Sequence, residues 1–257
     1  MAAKWTLITG ASEGLGREFA KLAAAEGRDL ILVARQEAKM EALAEELRAR
    51  HKIAVEVLPV DLSDPGAVET LWRKVALRRH VDVVVNNAGL GYNGPFTGAD
   101  FGREMASIMV NVAALSILTK RAVAHMVQQG GGKVLNVAST AAFMPGPNMA
   151  VYHATKAYVL SLGEAVAEEL RGTGVTITTL CPGATATNFA RDAQMEHVTL
   201  FKALPVPSAA KVARSGWRAM HRGRKVKVTG PVNWLFSVGP RFAPRALVPR
   251  ISALFLK

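Results

Sequence analysis

The sequence contains few of the residues that would indicate disulfides, metal sites or membrane spans. Cys181 is the only cysteine among 257 residues, and no Cys/His cluster has zinc-ligand spacing, so the sequence predicts no intramolecular disulfide and no bound metal. No uninterrupted apolar run approaches the roughly 18 residues of a membrane-spanning helix. The start, MAAKWTLITGASEG, has no charged region followed by an apolar region and a cleavage site. These absences predict a cytoplasmic protein.

Acidic residues are missing from the last part of the chain. Lys and Arg number 32 against 20 Asp and Glu, and the last acidic residue is Glu196. Residues 1–196 contain equal numbers of both signs, so the whole formal net charge of +12 belongs to residues 197–257. The remaining composition, 50% hydrophobic and 20% charged, excludes a disordered, collagenous or coiled-coil protein.

Apolar runs of strand length alternate with longer segments of helical period. Such alternation predicts an α/β fold of three layers, a doubly wound parallel sheet of Rossmann type with right-handed crossovers. We expect a catalytic domain over residues 1–230, with a substrate loop at about 183–210, followed by a basic, apolar C-terminal extension over 231–257. The predicted strands are residues 4–9, 29–34, 54–58, 81–85, 133–138, 175–180 and 226–229.

Three glycines separate the first predicted strand from the first helix, in the run Thr9-Gly10-Ala11-Ser12-Glu13-Gly14-Leu15-Gly16. A dinucleotide pyrophosphate requires a sharp backbone turn and close approach to a helix N-terminus, whose free N–H groups favour an anion. The position between strand and helix therefore indicates phosphate binding. A tight structural turn is the alternative interpretation.

The Gly-x3-Gly-x-Gly spacing resembles that of the short-chain dehydrogenase/reductase family, and the resemblance extends from Lys4 to about Thr187. Further matches are Asp61-Leu62, the NNAG run 86–89, Ser139, YxxxK at Tyr152 and Lys156, and Pro182-Gly183. The resemblance implies a catalytic tetrad of Asn111, Ser139, Tyr152 and Lys156. It implies that the cofactor is bound by Gly10, Ser12, Gly14, Leu15, Gly16, Arg35, Asp61, Leu62, Asn87, Ala88, Gly89, Tyr152, Lys156, Pro182, Gly183, Thr185 and Thr187.

The chemistry of Tyr152 can also be argued from its neighbours. Lys156 lies four residues further on and so shares a helix face with Tyr152. An adjacent ammonium is expected to lower the phenol pKa from about 10, and Ser139 can polarise the same substrate oxygen. By resemblance, Lys156 also holds the nicotinamide ribose and Asn111 holds a water. The alternative is that Tyr152 and Lys156 are surface residues of an amphipathic helix.

The residue after the second predicted strand bears on the choice of cofactor. An acidic side chain there would bind the 2′-hydroxyl of NAD, whereas this chain has Ala34 followed by Arg35. A guanidinium suits a phosphate, so the sequence predicts NADP(H) in preference to NAD(H). Glu13 occupies the position before Gly14 where the family has a second basic residue, which weakens this prediction. Arg35 as an ordinary solvated residue is the alternative.

The C-terminal extension allows three interpretations. It is a solvated basic surface whose apolar residues pack on the core or a neighbouring subunit, an attachment to an anionic membrane, or a site for an acidic substrate group such as a coenzyme A thioester. No recognised nucleic-acid-binding fold accompanies the charge, so we expect no nucleic-acid partner.

These patterns predict an NADP-dependent oxidoreductase of a lipophilic, steroid-like or fatty-acyl carbonyl. A non-catalytic NADP-binding or membrane-recruited interaction module is the alternative. The resemblance further implies a homo-oligomer, a dimer or tetramer built on helices near residues 101–129 and 149–171.

Overall fold

A computed structural model describes residues 4–77, 79–194 and 206–255 of the protein. Seven strands form one parallel sheet: β1 Lys4–Thr9, β2 Asp29–Ala34, β3 Val55–Pro59, β4 His80–Asn86, β5 Gly132–Val137, β6 Val175–Cys181 and β7 Val226–Val228. Their order across the sheet is β3-β2-β1-β4-β5-β6-β7.

Helices follow the strands, and the two helices that the sequence predicts near residues 101–129 and 149–171 are observed over Phe101–Gln128 and Ala150–Glu169. The helices are α1 Gly14–Ala25, α2 Glu37–His51, α3 Pro65–Ala76, α4 Phe101–Ile108, α5 Leu115–Gln128, α6 Ala150–Glu169, α7 Phe189–Asp192, α8 Ala209–His221, α9 Pro231–Val238 and α10 Val248–Phe255. The doubly wound α/β fold is confirmed. Part of the predicted substrate loop, residues 195–205, lies outside the described residues.

Two apolar clusters fill the spaces on either side of the sheet. Helices α1, α2 and α8 cover one face, where Phe19 on α1 and Trp217 on α8 share one cluster with apolar residues of β1, β2, β4, β5 and β6. Helices α3, α5 and α6 cover the other face. The central strands are buried on both sides, which is why β4 is a nearly continuous run of valines.

Helices α4 and α5 are joined by a π-helical turn, Met109–Ala114, into one helix over Phe101–Gln128. By length and composition this helix could cross a membrane, which the sequence analysis did not anticipate. One side of the helix packs on the buried face of the sheet through Val110, Ala114, Leu118, Ala122 and Met126. We therefore interpret it as a core helix.

The order of the strands reverses between β1 and β4. In an open parallel sheet, such a reversal leaves a crevice beyond the carboxyl ends of the strands, where ligands bind. The turn after β1 and the segment after β4 meet in this crevice. The fold therefore positions the predicted site motifs at one edge of the sheet.

Candidate active site

The glycine turn after β1 has the backbone that a phosphate site requires. Gly10 and Gly14 have φ angles of +64° and +56°, which favour glycine. Glu13, which precedes α1, makes no side-chain hydrogen bond to the helix within the described chain. The first N–H groups of α1 thus have no side-chain cap, as expected of a helix N-terminus that binds an anion.

Gly16 permits close contact between α1 and the turn. A Cβ atom at Gly16 would lie far inside van der Waals distance of the Gly10 carbonyl oxygen. Gly16→Ala is therefore expected to lower the free energy of unfolding by about 1–3 kcal/mol and to weaken dinucleotide binding, because overpacking displaces the turn. Gly98→Ala is the matched control, since a Cβ there meets no described atom within 4 Å. Chemical denaturation measures the free energy of unfolding of the two variants. Equal stabilities of Gly16→Ala and Gly98→Ala would contradict the prediction.

Asn87 fastens the glycine turn to the end of β4. Its Nδ2 donates to the carbonyl oxygens of Thr9 at 3.0 Å and Gly10 at 3.2 Å. The main-chain N–H groups of Asn87 and Ala88 each donate to the Thr9 hydroxyl at 3.0 Å. The sequence analysis did not single out Thr9 as a site residue. The sequence did contain a signal for Thr9, because it is a polar residue at the end of an apolar strand, directly before the glycine turn.

Ser139 and Tyr152 lie together on the cavity wall. The Ser139 hydroxyl accepts a hydrogen bond from the Ala141 N–H at 3.1 Å and so caps the 3₁₀ turn Thr140–Phe143. Tyr152, in the first turn of α6, lines the cavity together with Ser139, which lowers the pKa of Tyr152 through its hydroxyl. The structure thus brings together the two hydroxyls that the sequence analysis proposed to share one substrate oxygen.

The pKa of Tyr152 shifts in the direction opposite to our expectation. Burial raises the pKa of Tyr152 to about 12, against a smaller lowering effect of the hydrogen bond with Ser139. The Lys156 Nζ lies 5.7 Å from the centre of the Tyr152 ring and donates to the Val137 carbonyl oxygen at 2.9 Å. The expected net lowering by Lys156 is therefore wrong for this structure, because loss of solvent dominates.

The charged form of Lys156 is less favourable in the folded protein than in water. It is buried, and burial lowers its pKa to about 8, although the electrostatic influence of Cys181 raises it. At neutral pH the lysine is charged in both states, but the folded state binds this proton less tightly than the unfolded state. The wild type should consequently gain stability as the pH rises from about 8 towards the ordinary lysine pKa of about 10.4, where the unfolded chain also loses its proton.

Lys156→Met is expected to increase the free energy of unfolding at pH 7 by about 2 kcal/mol, because it removes a buried charge at the expense of one hydrogen bond. The difference from the wild type should shrink as the pH rises above about 8, where the folded wild type loses this charge. Urea denaturation at a series of pH values measures the effect. A variant less stable than the wild type at pH 7, or a difference independent of pH, would refute it.

Asn111 lies in the π-helical turn, behind the cavity wall, and is 1% exposed. Its Oδ1 accepts from the Leu90 N–H at 2.9 Å, and its Nδ2 donates to the Leu90 carbonyl at 2.8 Å and to the Thr155 hydroxyl at 3.0 Å. Asn111 therefore positions the segment after β4 against the residue that precedes Lys156. Its predicted role of holding a water stays a prediction. The π turn, a feature frequent at functional sites, had no sequence signal.

Arg35 and Asp61 line the part of the cavity beyond β2 and β3, away from Tyr152. Arg35 follows β2 and is exposed. Asp61 accepts hydrogen bonds from the Ser63 N–H and hydroxyl at 2.9 and 2.8 Å, and these bonds, helped by the charge of Arg35, lower the pKa of Asp61. Leu62 is buried in the core beneath them. This end of the cavity thus combines an exposed guanidinium with a hydrogen-bonded carboxylate.

Glu13, the departure from the family pattern, is held by two side chains. Its Oε2 accepts from Lys39 Nζ at 3.2 Å and from Asn188 Nδ2 at 2.8 Å. Burial opposes ionisation of Glu13, but the hydrogen bonds from Asn188 and Lys39 outweigh it and lower the pKa of Glu13. The carboxylate is therefore charged at neutral pH, and the Lys39 ammonium compensates its charge.

The C-terminal extension contributes part of the cavity wall. Asn233 and Phe236 on α9 and Ser252 on α10 line the cavity. A Cβ atom at Gly183 would collide with the Asn233 side chain, and the Ser252 hydroxyl donates to the Pro145 carbonyl oxygen at 2.7 Å. The sequence analysis missed these three residues. The sequence offered one signal. Pro231 is a favourable first residue of a helix, and Asn233 and Phe236, three residues apart, lie on one side of the helix that it begins.

One cavity of about 650 Å³ connects most of these groups. Gly16 and Asn111 lie behind its wall, for the packing reasons given above. His153 also lines the cavity, but it is buried and its Nδ1 lies 2.7 Å from the Met144 carbonyl oxygen. The other predicted site residues line the cavity: Gly10, Ser12, Gly14, Leu15, Arg35, Asp61, Leu62, Asn87, Ala88, Gly89, Ser139, Tyr152, Lys156, Pro182, Gly183, Thr185 and Thr187.

The parallel sheet with this strand order and a glycine turn at the switch point defines a Rossmann-type fold, and a Ser-Tyr-Lys group lies beside the turn. The family model of the short chain dehydrogenase matches residues 4–197. The chain belongs to this family.

Two curated relatives illustrate the range of the similarity. A very-long-chain 3-oxoacyl-CoA reductase of Pyrenophora tritici-repentis is 36% identical over 66% of this chain and 52% of the relative. The human inactive hydroxysteroid dehydrogenase-like protein 1 is 26% identical over 76% of this chain and 59% of the relative. The chain thus spans little more than half the length of these relatives.

Two solved structures share the fold over nearly the whole chain. A short-chain dehydrogenase from Sphingobium yanoikuyae in complex with NADPH has a TM-score of 0.83 and 29% identity and covers 93% of both chains. A short-chain dehydrogenase/reductase from Burkholderia phymatum in complex with NAD has a TM-score of 0.82 and 25% identity and covers 92% of both chains. The two neighbours thus bind different nicotinamide cofactors.

Proposed function

We propose that this protein is an NADP(H)-preferring oxidoreductase that interconverts a lipophilic carbonyl compound and its alcohol. The observation that carries the proposal is that Ser139, Tyr152 and Lys156 line the same cavity as the glycine turn. A dinucleotide fits this turn, since the left-handed glycines leave a cradle in front of an uncapped helix N-terminus.

The residues around Tyr152 suit proton transfer to a carbonyl oxygen. Burial keeps the phenol protonated at neutral pH, so Tyr152 can donate a proton during reduction, while Ser139 hydrogen-bonds the same oxygen. The Lys156 ammonium then stabilises the phenolate that remains. The bound nicotinamide would supply the hydride, and alcohol oxidation reverses both transfers.

Two observations favour NADP(H). Arg35 is exposed at the cavity end beyond β2 and offers a guanidinium to a 2′-phosphate. Lys39 and Asn188 hold the Glu13 carboxylate, so its charge opposes a phosphate less than an unpaired carboxylate would.

The side chains beside Tyr152 support a lipophilic substrate. The Phe189 ring lies 5.4 Å from the Tyr152 ring, centre to centre. Met144, Met149 and Phe236 also line this part of the cavity. Large apolar walls of this kind bind apolar substrate groups. The name of the fungal relative, a reductase of very-long-chain 3-oxoacyl-CoA, is consistent with this substrate class.

Exposed apolar residues support a homo-oligomer. Phe101, Met105 and Val127 on the long helix and Tyr158 on α6 are all exposed. These are the two helices that the sequence analysis proposed for subunit contacts. Light scattering on the purified protein tests this assignment, which predicts twice or four times the 27.4 kDa mass of the chain.

The decisive experiment measures NADPH oxidation with a panel of ketones, aldehydes and 3-oxoacyl thioesters of increasing chain length. We expect turnover that improves with apolar chain length. A human relative carries the name of an inactive protein, so a non-catalytic NADP-binding module is the second candidate. Tight NADPH binding without turnover of any substrate would favour that candidate.

A further inference from the structure

The C-terminal extension contains an unusual concentration of exposed apolar side chains. Thirteen large hydrophobic residues are exposed among the described residues, and seven of them lie between residues 232 and 254. Soluble monomers rarely expose large apolar patches unless these take part in binding. The seven are Val232, Trp234, Leu235, Phe242, Leu247, Ile251 and Leu254. We call them the apolar patch.

The two short helices of the extension turn opposite sides to the protein and to solvent. In α9, Asn233, Phe236 and Ser237 face the body of the protein, whereas Trp234 and Leu235 are exposed. In α10, Val248 and Ser252 are buried four residues apart. Leu247, Ile251 and Leu254 recur at helical spacing on the exposed side of the same segment. Both helices are therefore amphipathic, with apolar side chains pointing away from the protein.

Both helices are anchored to the same part of the body. Helix α9 contacts the 3₁₀ turn Thr140–Phe143, and Ser252 on α10 donates to the carbonyl oxygen of Pro145. The two helices therefore lie on one region of the surface, next to the cavity. This region is built on packed helices, so its apolar side chains are presented by a folded scaffold.

The charge of the extension indicates what covers the apolar patch. Arg241, Arg245 and Arg250 are exposed among the apolar residues, and residues 197–257 contain no Asp or Glu. A two-fold contact between copies would place this basic surface against itself, because such an interface pairs the same patch on both subunits. An anionic lipid surface instead provides negative headgroups for the arginines and an apolar layer for the neighbouring side chains.

We propose that the apolar patch and its three arginines dock the protein on anionic membrane surfaces. The cavity residues Asn233, Phe236 and Ser252 belong to the same two helices, so docking places the cavity beside the lipid. If the protein has the proposed function, on which this step rests, its lipophilic substrate enters the cavity from the bilayer. The three side chains that the extension contributes to the cavity are uncharged, which argues against the extension as the site for an acidic substrate group.

Co-sedimentation of the full-length protein with vesicles tests the docking. Vesicles of phosphatidylcholine alone are compared with vesicles that contain about one-quarter phosphatidylglycerol, in low salt and in about 1 M salt, where the screening length falls to about 3 Å. We expect binding only to the anionic vesicles and its release by salt. Equal binding to both vesicle types, or no binding to either, would overturn the proposal.

Two matched pairs of variants locate the surface. Arg241→Gln/Arg245→Gln/Arg250→Gln should weaken the partition onto anionic vesicles about a hundredfold, whereas Arg50→Gln/Arg73→Gln/Lys120→Gln should leave it within about twofold. Phe242→Ser/Leu254→Ser should weaken it at least about tenfold. The control for this double variant is Leu77→Ser/Phe96→Ser, which changes a Leu and a Phe that are also exposed, elsewhere on the surface.

Thermal unfolding and NADPH binding confirm that each variant is folded. If a variant and its control weakened vesicle binding equally, the membrane-binding surface would not be the apolar patch and its arginines. Light scattering adds a further test. If the wild type is a dimer that dissociates in Phe242→Ser/Leu254→Ser, the apolar patch is a self-association surface.

Turnover measurements separate the docking proposal from the proposed function. Vesicle binding without turnover of any carbonyl compound leaves docking intact and refutes the proposed function.

Discussion

Tyr152→Phe is expected to reduce kcat for carbonyl reduction at least about a hundredfold, since general acid catalysis typically contributes 10² to 10⁴-fold. The substitution removes the Tyr152 hydroxyl, which is the proton donor of the proposed reduction, while the ring keeps its packing against Phe189. The NADPH dissociation constant should change by less than about threefold, because the ring and the Lys156 side chain remain in place. Steady-state kinetics and NADPH fluorescence titration measure the two quantities.

Tyr158→Phe is the matched control for this experiment. Tyr158 lies on the same helix and is exposed, and its hydroxyl is hydrogen-bonded to the Ser116 hydroxyl at 2.9 Å. Its loss should leave kcat unchanged. A Tyr152→Phe enzyme that retains more than a tenth of the wild-type kcat would show that another group donates the proton. A parallel loss of NADPH affinity would show instead that the substitution disturbs the cavity.

Arg35→Ala should weaken NADPH binding about ten- to a hundredfold and leave NADH binding nearly unchanged. A hydrogen bond to a charged group contributes roughly 1.5–3 kcal/mol, and only NADPH offers the 2′-phosphate that the guanidinium would contact. Lys39→Met should also weaken NADPH binding, by a smaller factor, since it leaves the Glu13 carboxylate without its cation. Isothermal titration with each cofactor measures these affinities.

Arg50→Ala is the control for a general loss of positive charge. Arg50 is exposed in the last turn of α2, about 20 Å from the start of this 15-residue helix at a rise of about 1.5 Å per residue. It should affect neither cofactor. If Arg35→Ala weakened NADPH and NADH alike, or if the wild type bound NADH more tightly, the preference for NADP(H) would be wrong.

The sequence by itself determined the sheet, the crossover helices and the position of most groups around the cavity. Strand-length apolar runs alternate with helical periods, and parallel strands must bury both faces, so β1 to β6 could be placed within a residue or two. The glycine turn, the NNAG run and Ser139 each directly follow a strand. Because the carboxyl ends of parallel strands share one edge of the sheet, these residues had to meet there.

Tertiary structure decided the features that depend on burial and on contacts between distant segments. The pKa of Tyr152 rises because the site excludes water, a property that the four-residue spacing to Lys156 does not report. Asn188 reaches Glu13 across 175 positions, and α9 and α10 supply cavity walls from a segment without a family motif. Local periodicity predicts which face of a helix is apolar. Only the packing of the whole chain decides whether that face is buried, as in α5, or left exposed, as in α10, since burial depends on which other segments remain to cover it.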